Sequence, residues 1–95
     1  MELGKVVGQV VATVRAKGLP HNSLLLVEFV DQEGRGTGRE AVALDTIGAG
    51  EGELVLLVQG SAASRVCSPD TPLDLAVVGI VDQVSGGGGT TYSKN

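Results

Sequence analysis

The residues of this chain that could take part in catalysis are few and widely spaced. His21 stands in a polar loop between two apolar segments, and it is the only histidine. Cys67 is the only cysteine, and no motif places His21 beside it. A nucleophile or general base needs an oriented partner within hydrogen-bond reach. We therefore predict no catalytic residue and no enzyme activity.

Two carboxylates near the ends of apolar segments, Asp45 and Asp82, could in principle pair as an acid and a base. We expect instead that each aspartate either accepts hydrogen bonds from the backbone N–H groups of a turn or pairs with an arginine or lysine across an interface. A single cysteine cannot build a thiolate metal site or an internal disulfide. The sequence therefore predicts no metal and no other cofactor.

The glycine-rich segment at residues 47–52 is the strongest local motif. It contains Ile47, Gly48, Ala49, Gly50, Glu51 and Gly52. Glycine-rich loops bind phosphate where a strand leads into a helix, but here an apolar strand pattern follows and no lysine is nearby. Glu51 and Glu53 would also repel an anion. The segment therefore predicts a turn whose glycines adopt positive φ.

Length and charge restrict the class of protein. The chain has 95 residues, enough for one domain, and a net charge of −4. Seven basic residues and two aromatic residues argue against a nucleic-acid partner. No apolar run approaches the ~20 residues that cross a bilayer, and the N-terminus has no signal-peptide pattern. We expect a cytosolic protein without a membrane partner.

Short valine-rich and leucine-rich runs separated by glycine-rich turns predict an all-β fold. The expected strands cover residues 5–15, 23–31, 40–45, 53–60 and 75–84, with one helical turn at residues 61–66 before the last strand. Five strands of this length favour a small closed barrel of the oligonucleotide-binding type, because closure removes exposed sheet edges. We assign residues 1–84 to this barrel and residues 85–95 to a flexible glycine-rich tail.

Several strands carry apolar residues on both faces, although a barrel strand has only one inward face. In the first strand Val6, Gly8, Val10, Ala12 and Val14 form the set that suits the core. The apolar residues left for the outer surface are predicted to form a subunit interface, since a contiguous apolar patch marks a partner surface. They are Val7, Val11, Leu24, Leu26 and Val30.

Four segments make the chain resemble the EutN/CcmL family of microcompartment vertex proteins. They are LGKVVGQVVAT at residues 3–13, LLLVE at 24–28, AVALDTIGAGEGELVLLVQGS at 41–61, and VVGIVD at 77–82. The resemblance covers residues 1 to about 84 and looks closer to the ethanolamine branch of the family than to the carboxysome branch. It implies a five-stranded barrel that assembles with itself as a homopentamer.

The resemblance also implies a place and partners. Proteins of this family sit at the corners of polyhedral shells in the cytoplasm, beside hexameric shell proteins, around enzymes that the shell encloses. It further implies that the loop at residues 47–52 lies around the fivefold axis and rims a narrow opening. The competing hypothesis is a small barrel that binds a metabolite or nucleic acid as a monomer, which the acidic, aromatic-poor composition disfavours.

Overall fold

A computed structural model describes residues 1–67 and 73–94, with the side chains of Ser64 and Cys67 left out of the description. These residues form seven strands and one helix. The elements are β1 (Glu2–Val10), β2 (Leu24–Val30), β3 (Gly36–Asp45), β4 (Leu54–Gln59), α1 (Gly60–Cys67), β5 (Leu75–Ile80), β6 (Gln83–Gly86) and β7 (Gly89–Ser93).

Five of the strands close into a barrel in the order β1-β2-β3-β5-β4. All neighbouring pairs in the barrel are antiparallel except β3 and β5, which run parallel. The helix stands between β4 and β5 in the chain, which makes it the element before the last barrel strand. The prediction of a five-stranded barrel with one short helix is therefore confirmed.

The inward side chains of all five strands meet in one core. Val27, Val55, Leu57 and Val77 are fully buried, and burial of each such side chain contributes about 1.5–3 kcal/mol. The residues of this core are Val6, Leu25, Val27, Phe29, Ala43, Val55, Leu57, Leu75 and Val77. Gly4 belongs to the same packing, since a Cβ on it would lie 2.6 Å from the Leu57 Cδ1 atom.

A β-bulge in β1 changes which residues face the core. The register against β2 shifts between Val6 and Gly8, so that Val10 lies opposite Leu24. Residues directly opposite in two strands point to the same side of the sheet, so Val10 shares the outer face with Leu24. The predicted inward position is therefore right for Val6 and wrong for Gly8 and Val10. Val14 lies beyond the end of β1 and is 92% exposed.

The helix covers part of the outer surface of the barrel. Ala63 of α1 is fully buried and packs with Val58 of β4 and Ala76 of β5. The helix is longer than the predicted single turn, because it runs from Gly60 to Cys67. Val58 and Ala76 are thus shielded from water within the protomer.

The last described residues form a second sheet in which β6 pairs only with β7. The turn between them contains Gly87 and Gly88, which both have positive φ. The Thr91 hydroxyl donates a hydrogen bond to the carbonyl of Gln32, which ties the hairpin to the β2–β3 turn. Residues 83–93 therefore have regular structure where an irregular tail was expected, while the division of the chain at residue 84 stays a prediction.

In the part of the chain that the structure describes, no helix is both long enough and apolar enough to span a membrane.

Candidate functional site

The glycine loop, residues 47–52, is held by the carboxylate that precedes it. The Asp45 Oδ1 atom accepts hydrogen bonds from the backbone N–H groups of Ile47, Gly48 and Ala49 at 3.1, 2.9 and 3.2 Å. Asp45 is 8% exposed, and among the described residues it is the one charged residue that is buried. The structure thus confirms the predicted role of Asp45 as an acceptor for a turn.

Two glycines of this loop have the conformation that only glycine adopts readily. Gly48 has φ of 83° and Gly52 has φ of 89°, and a Cβ on either would meet nothing within 4 Å. Gly50 does not have positive φ, so the prediction of positive φ is wrong for this glycine. A Cβ on Gly50 would lie 3.3 Å from the Glu53 Oε1 atom, which makes Gly50 sensitive to crowding rather than to backbone strain.

Glu53 joins the far end of the glycine loop to the end of the chain. Its Oε1 atom accepts a hydrogen bond from the Gly50 N–H at 2.6 Å, and its Oε2 atom accepts one from the Lys94 Nζ at 3.0 Å. The Gly50 N–H and the Lys94 ammonium lower the pKa of the Glu53 carboxyl. The bond to Glu53 raises the pKa of Lys94. Both ends of the glycine loop are therefore held by carboxylates.

An apolar patch on the outside of β1 and β2, here called the β1–β2 face, is left without a covering element among the described residues. Its members are Val7, Val10, Val11, Leu24 and Leu26. Four of them are half-buried, and Val11 is 80% exposed just beyond the end of β1. Val42 of β3 lies opposite Leu26, is 45% exposed, and extends the patch onto the next strand.

The fifth residue predicted for the interface, Val30, departs from the prediction. Its exposure is only 9%, and it pairs with Gly36 of β3 just beyond a register shift in the β2–β3 pairing. A period-two pattern continued through the strand places Val30 on the outside, but the structure buries this residue. Val30 therefore stabilises the protomer.

The residues that could do chemistry are not brought together. His21 is exposed in the loop before β2, and the Asp82 side chain lies near Lys94 at 3.9 Å. Among residues 1–67 and 73–94, no group of three or more His, Cys, Asp or Glu residues could hold a metal ion. The prediction that Cys67 has no catalytic partner concerns a side chain that lies outside the described residues.

A groove opens between β3 and β5, and sequence reasoning did not identify it. The two strands pair only at Leu44 with Ala76 and at Asp45 with Val77. Below that point they separate around a cavity of about 480 Å³. Its floor includes Phe29, Ala41 and Leu75, and its rim includes Arg39, Glu40 and Asp74. We call this cavity the β3–β5 groove.

One side of the β3–β5 groove is closed by a polar cluster. The Arg39 guanidinium lies 3.9 Å from the centre of the Phe29 ring and pairs with the Glu2 carboxylate at 2.7 Å. The side-chain amide of Gln59 donates a hydrogen bond to the same carboxylate. The cluster joins β1, β3 and β4 across the end of the barrel, so the Arg39 charge is already paired within the protomer.

Comparison with known proteins supplies the context for these surfaces. Residues 1–82 match the family model described as ethanolamine utilisation protein EutN/carboxysome. The chain is 52% identical over 95 residues to the bacterial microcompartment shell vertex protein EutN of Escherichia coli strain K12, covering 99% of this chain and 100% of that protein. The chain belongs to the EutN/CcmL family.

Two further members of the EutN/CcmL family show how far the likeness extends. The carboxysome shell vertex protein CcmL of Synechocystis is 45% identical over 95 residues, covering 99% of this chain and 95% of that protein. The solved structure of the GrpN pentameric microcompartment shell protein from Rhodospirillum rubrum superposes with a TM-score of 0.84 at 40% identity. That likeness covers 92% of this chain and all of GrpN. The resemblance predicted from the four sequence segments is confirmed.

Proposed function

We propose that this protein is a structural subunit that forms pentamers and caps the vertices of a bacterial microcompartment shell. The observation that carries the proposal is the full-length likeness to shell vertex proteins, one of which is described as pentameric. These relatives are named as parts of a shell and not as enzymes. The protein accordingly acts by assembly, and its work is done by surfaces rather than by a catalytic centre.

The distribution of apolar surface supports self-association. The helix covers Val58 of β4 and Ala76 of β5, whereas the β1–β2 face has no such cover among the described residues. Removing apolar area from water yields about 25 cal/mol per Å², so several hundred Å² per subunit would give many kcal/mol before the costs of association. In a pentamer, this face would be buried against a neighbouring copy.

We place the glycine loop, Ile47 to Gly52, at the fivefold axis of this pentamer. Five copies of one loop can approach closely only where side chains are small and the backbone is held in one conformation. Residues 48–50 and 52 are glycine or alanine, and the Asp45 carboxylate fixes the turn. A ring of such loops leaves a narrow opening, in which Ile47 and Glu51 are the larger side chains.

We further propose that hexameric shell proteins are the partners of the pentamer. Sixfold tiles alone extend as flat sheets, and a closed polyhedron needs fivefold units at its corners. The pentamer would therefore occupy positions that a hexamer cannot fill. This role places the protein in the shell, around the enzymes that the shell encloses.

Shell closure tests the proposal directly. Hexameric shell proteins from the same organism would be co-expressed with and without this chain, and the assemblies would be imaged by electron microscopy. We expect closed polyhedra with the chain present, and open tubes or sheets without it. Closed polyhedra of the same size and number in its absence would refute the vertex function.

A further inference from the structure

The end of the chain contacts the barrel at two separate places. β6, β7 and Lys94, here called the C-terminal strap, follow the last barrel strand. At the first place the Thr91 hydroxyl donates a hydrogen bond to the Gln32 carbonyl at 2.9 Å. At the second place the Lys94 Nζ atom donates one to the Glu53 carboxylate at 3.0 Å. The strap therefore joins the β2–β3 turn, residues 31–35, to the residue that follows the glycine loop.

The C-terminal strap depends on its contacts with the barrel. Its two strands pair only with each other, and a two-stranded hairpin is at best marginally stable in water. The half-buried Tyr92 ring lies against Gly34 of the β2–β3 turn, where a Cβ would be 3.3 Å from the Tyr92 Cδ2 atom. At the other end of the strap the backbone N–H of Lys94 donates to the Asp82 carbonyl at 2.8 Å. Docking on the barrel therefore holds the strap in place.

The two halves of the glycine loop are held by different elements. The Asp45 carboxylate binds the N–H groups of residues 47–49, which anchors the first half to the end of β3. The Gly50 N–H is bound instead by the Glu53 carboxylate, whose side chain is 24% exposed. Lys94 binds the other oxygen of Glu53. The second half, residues 50–52, is thus linked to the C-terminal strap through one carboxylate.

We infer that the C-terminal strap is a clamp for the second half of the glycine loop. Docking of the strap on the β2–β3 turn keeps Lys94 on Glu53, and this contact keeps Glu53 on the Gly50 N–H. The coupling is reciprocal, so a change that loosens the loop also loosens the strap. The clamp is a property of the protomer and goes beyond the proposed assembly. In the proposed pentamer it would determine how firmly the rim of the opening is held.

Hydrogen exchange at the Gly50 amide of the full chain, at one fixed protomer concentration, tests the clamp. Lys94→Gln removes the charge that holds Glu53. We expect exchange at Gly50 to accelerate about twofold to fivefold, as for loss of an exposed ion pair, while Gly48 keeps its rate. The control Lys17→Gln makes the same change at an exposed lysine that has no ion pair among the described residues, and it should leave Gly50 unchanged.

A variant at the other contact tests whether the effect travels through the strap. Thr91→Val removes the hydrogen bond to the β2–β3 turn and does not alter the glycine loop. We expect exchange at Gly50 to accelerate about twofold, because the undocked strap no longer holds Lys94 in place. Thr90→Val is the matched control, since the exposed Thr90 hydroxyl bonds only the Gln83 side chain of the strap itself. It should leave Gly50 unchanged.

A variant of the loop tests the reciprocal effect. Glu53→Gln keeps an oxygen that can accept the Gly50 N–H and removes the charge that attracts Lys94. Exchange at the Lys94 amide, which is bonded to the Asp82 carbonyl, should accelerate in this variant. The double variant with Lys94→Gln should accelerate exchange at Gly50 no more than the larger single effect, because both changes remove the same contact.

The amides of Val27 and Val55 report on the barrel core and should keep their rates in every variant. Unchanged exchange at Gly50 in Lys94→Gln refutes the clamp. Acceleration in Lys94→Gln but not in Thr91→Val reduces the contact to a local ion pair and also refutes it. Equal acceleration in Thr91→Val and Thr90→Val refutes the role of the β2–β3 turn. Native mass spectrometry of the same samples keeps the two proposals apart, because a monomeric original chain refutes the pentamer, whereas the exchange rates alone decide the clamp.

Discussion

Asp45 is the residue whose replacement should most clearly separate the glycine loop from the barrel. Its Oδ1 atom accepts three backbone hydrogen bonds while the residue is 8% exposed. A hydrogen bond to a charged group contributes about 1.5–3 kcal/mol. The three donors share one oxygen, and Ile47 and Gly48 are exposed enough to regain water. We therefore expect Asp45→Ala to lower the free energy of unfolding by about 2–4 kcal/mol in total.

Two companion variants make this prediction specific. Asp45→Asn keeps an acceptor oxygen in the same place without the charge, so its loss should be smaller, about 1 kcal/mol. Asp82→Ala removes a carboxylate that is largely exposed and 3.9 Å from Lys94, and it should change stability by less than about 0.5 kcal/mol.

The assay is denaturant unfolding at one fixed protomer concentration, because association contributes to apparent stability. Hydrogen exchange at Ile47, Gly48 and Ala49 reports on the loop itself, and protection there should fall in Asp45→Ala before the core strands change. If Asp45→Ala is as stable as Asp82→Ala and keeps its protection at these three amides, the assignment of Asp45 as the anchor of the loop is incorrect.

Three further predictions concern packing, the loop and pH. Gly4→Ala should cost about 1–3 kcal/mol in unfolding experiments, because its Cβ would lie 2.6 Å from the buried Leu57 side chain; an unchanged midpoint would contradict this packing. Gly50→Leu should reduce pentamers and closed shells in native mass measurements and micrographs, and normal assembly would exclude a rim position for this loop. The Glu53 carboxyl has a lowered pKa, so the stability it contributes is present above its ordinary value of 4.5 and is lost as the pH falls through the lowered pKa. Lys94 has a raised pKa, so its contribution is present below its ordinary value of 10.5 and is lost as the pH rises through the raised pKa. Lys94→Gln should flatten the stability profile at both ends, and an unaltered profile would show that the pair contributes nothing.

The barrel could be predicted because its strands follow simple physical rules. Val27 and Leu25 alternate with Leu24 and Leu26, and that period of two identifies the inward face. Asp45 before a glycine-rich segment predicted a side chain that accepts hydrogen bonds from a turn. These local relations need no knowledge of how distant strands pair.

The bulges could not be predicted in the same way. The shift between Val6 and Gly8 reverses the alternation for Val10. Val30 is also buried, although the period of two places it outside. A bulge depends on the strand that lies opposite, and the sequence of one strand does not contain that information. The β3–β5 groove was missed for a related reason, since it arises where two strands distant in sequence separate.

The sequence of the C-terminal hairpin contains a turn signal. Gly87 and Gly88 form a two-residue turn between Gly86 and Gly89, which pair with each other. A Gly-Gly pair between residues that can form strands is typical of a hairpin with positive φ at both central positions. Val84 and Tyr92 pair across it, yet four consecutive glycines led to the expectation of an irregular tail.

The mass of the purified chain in native mass spectrometry tests the central claim most directly. The account predicts one dominant species at five times the 9.6 kDa of a single chain, which persists on moderate dilution. A folded chain that remains at the mass of one protomer at high concentration would contradict it.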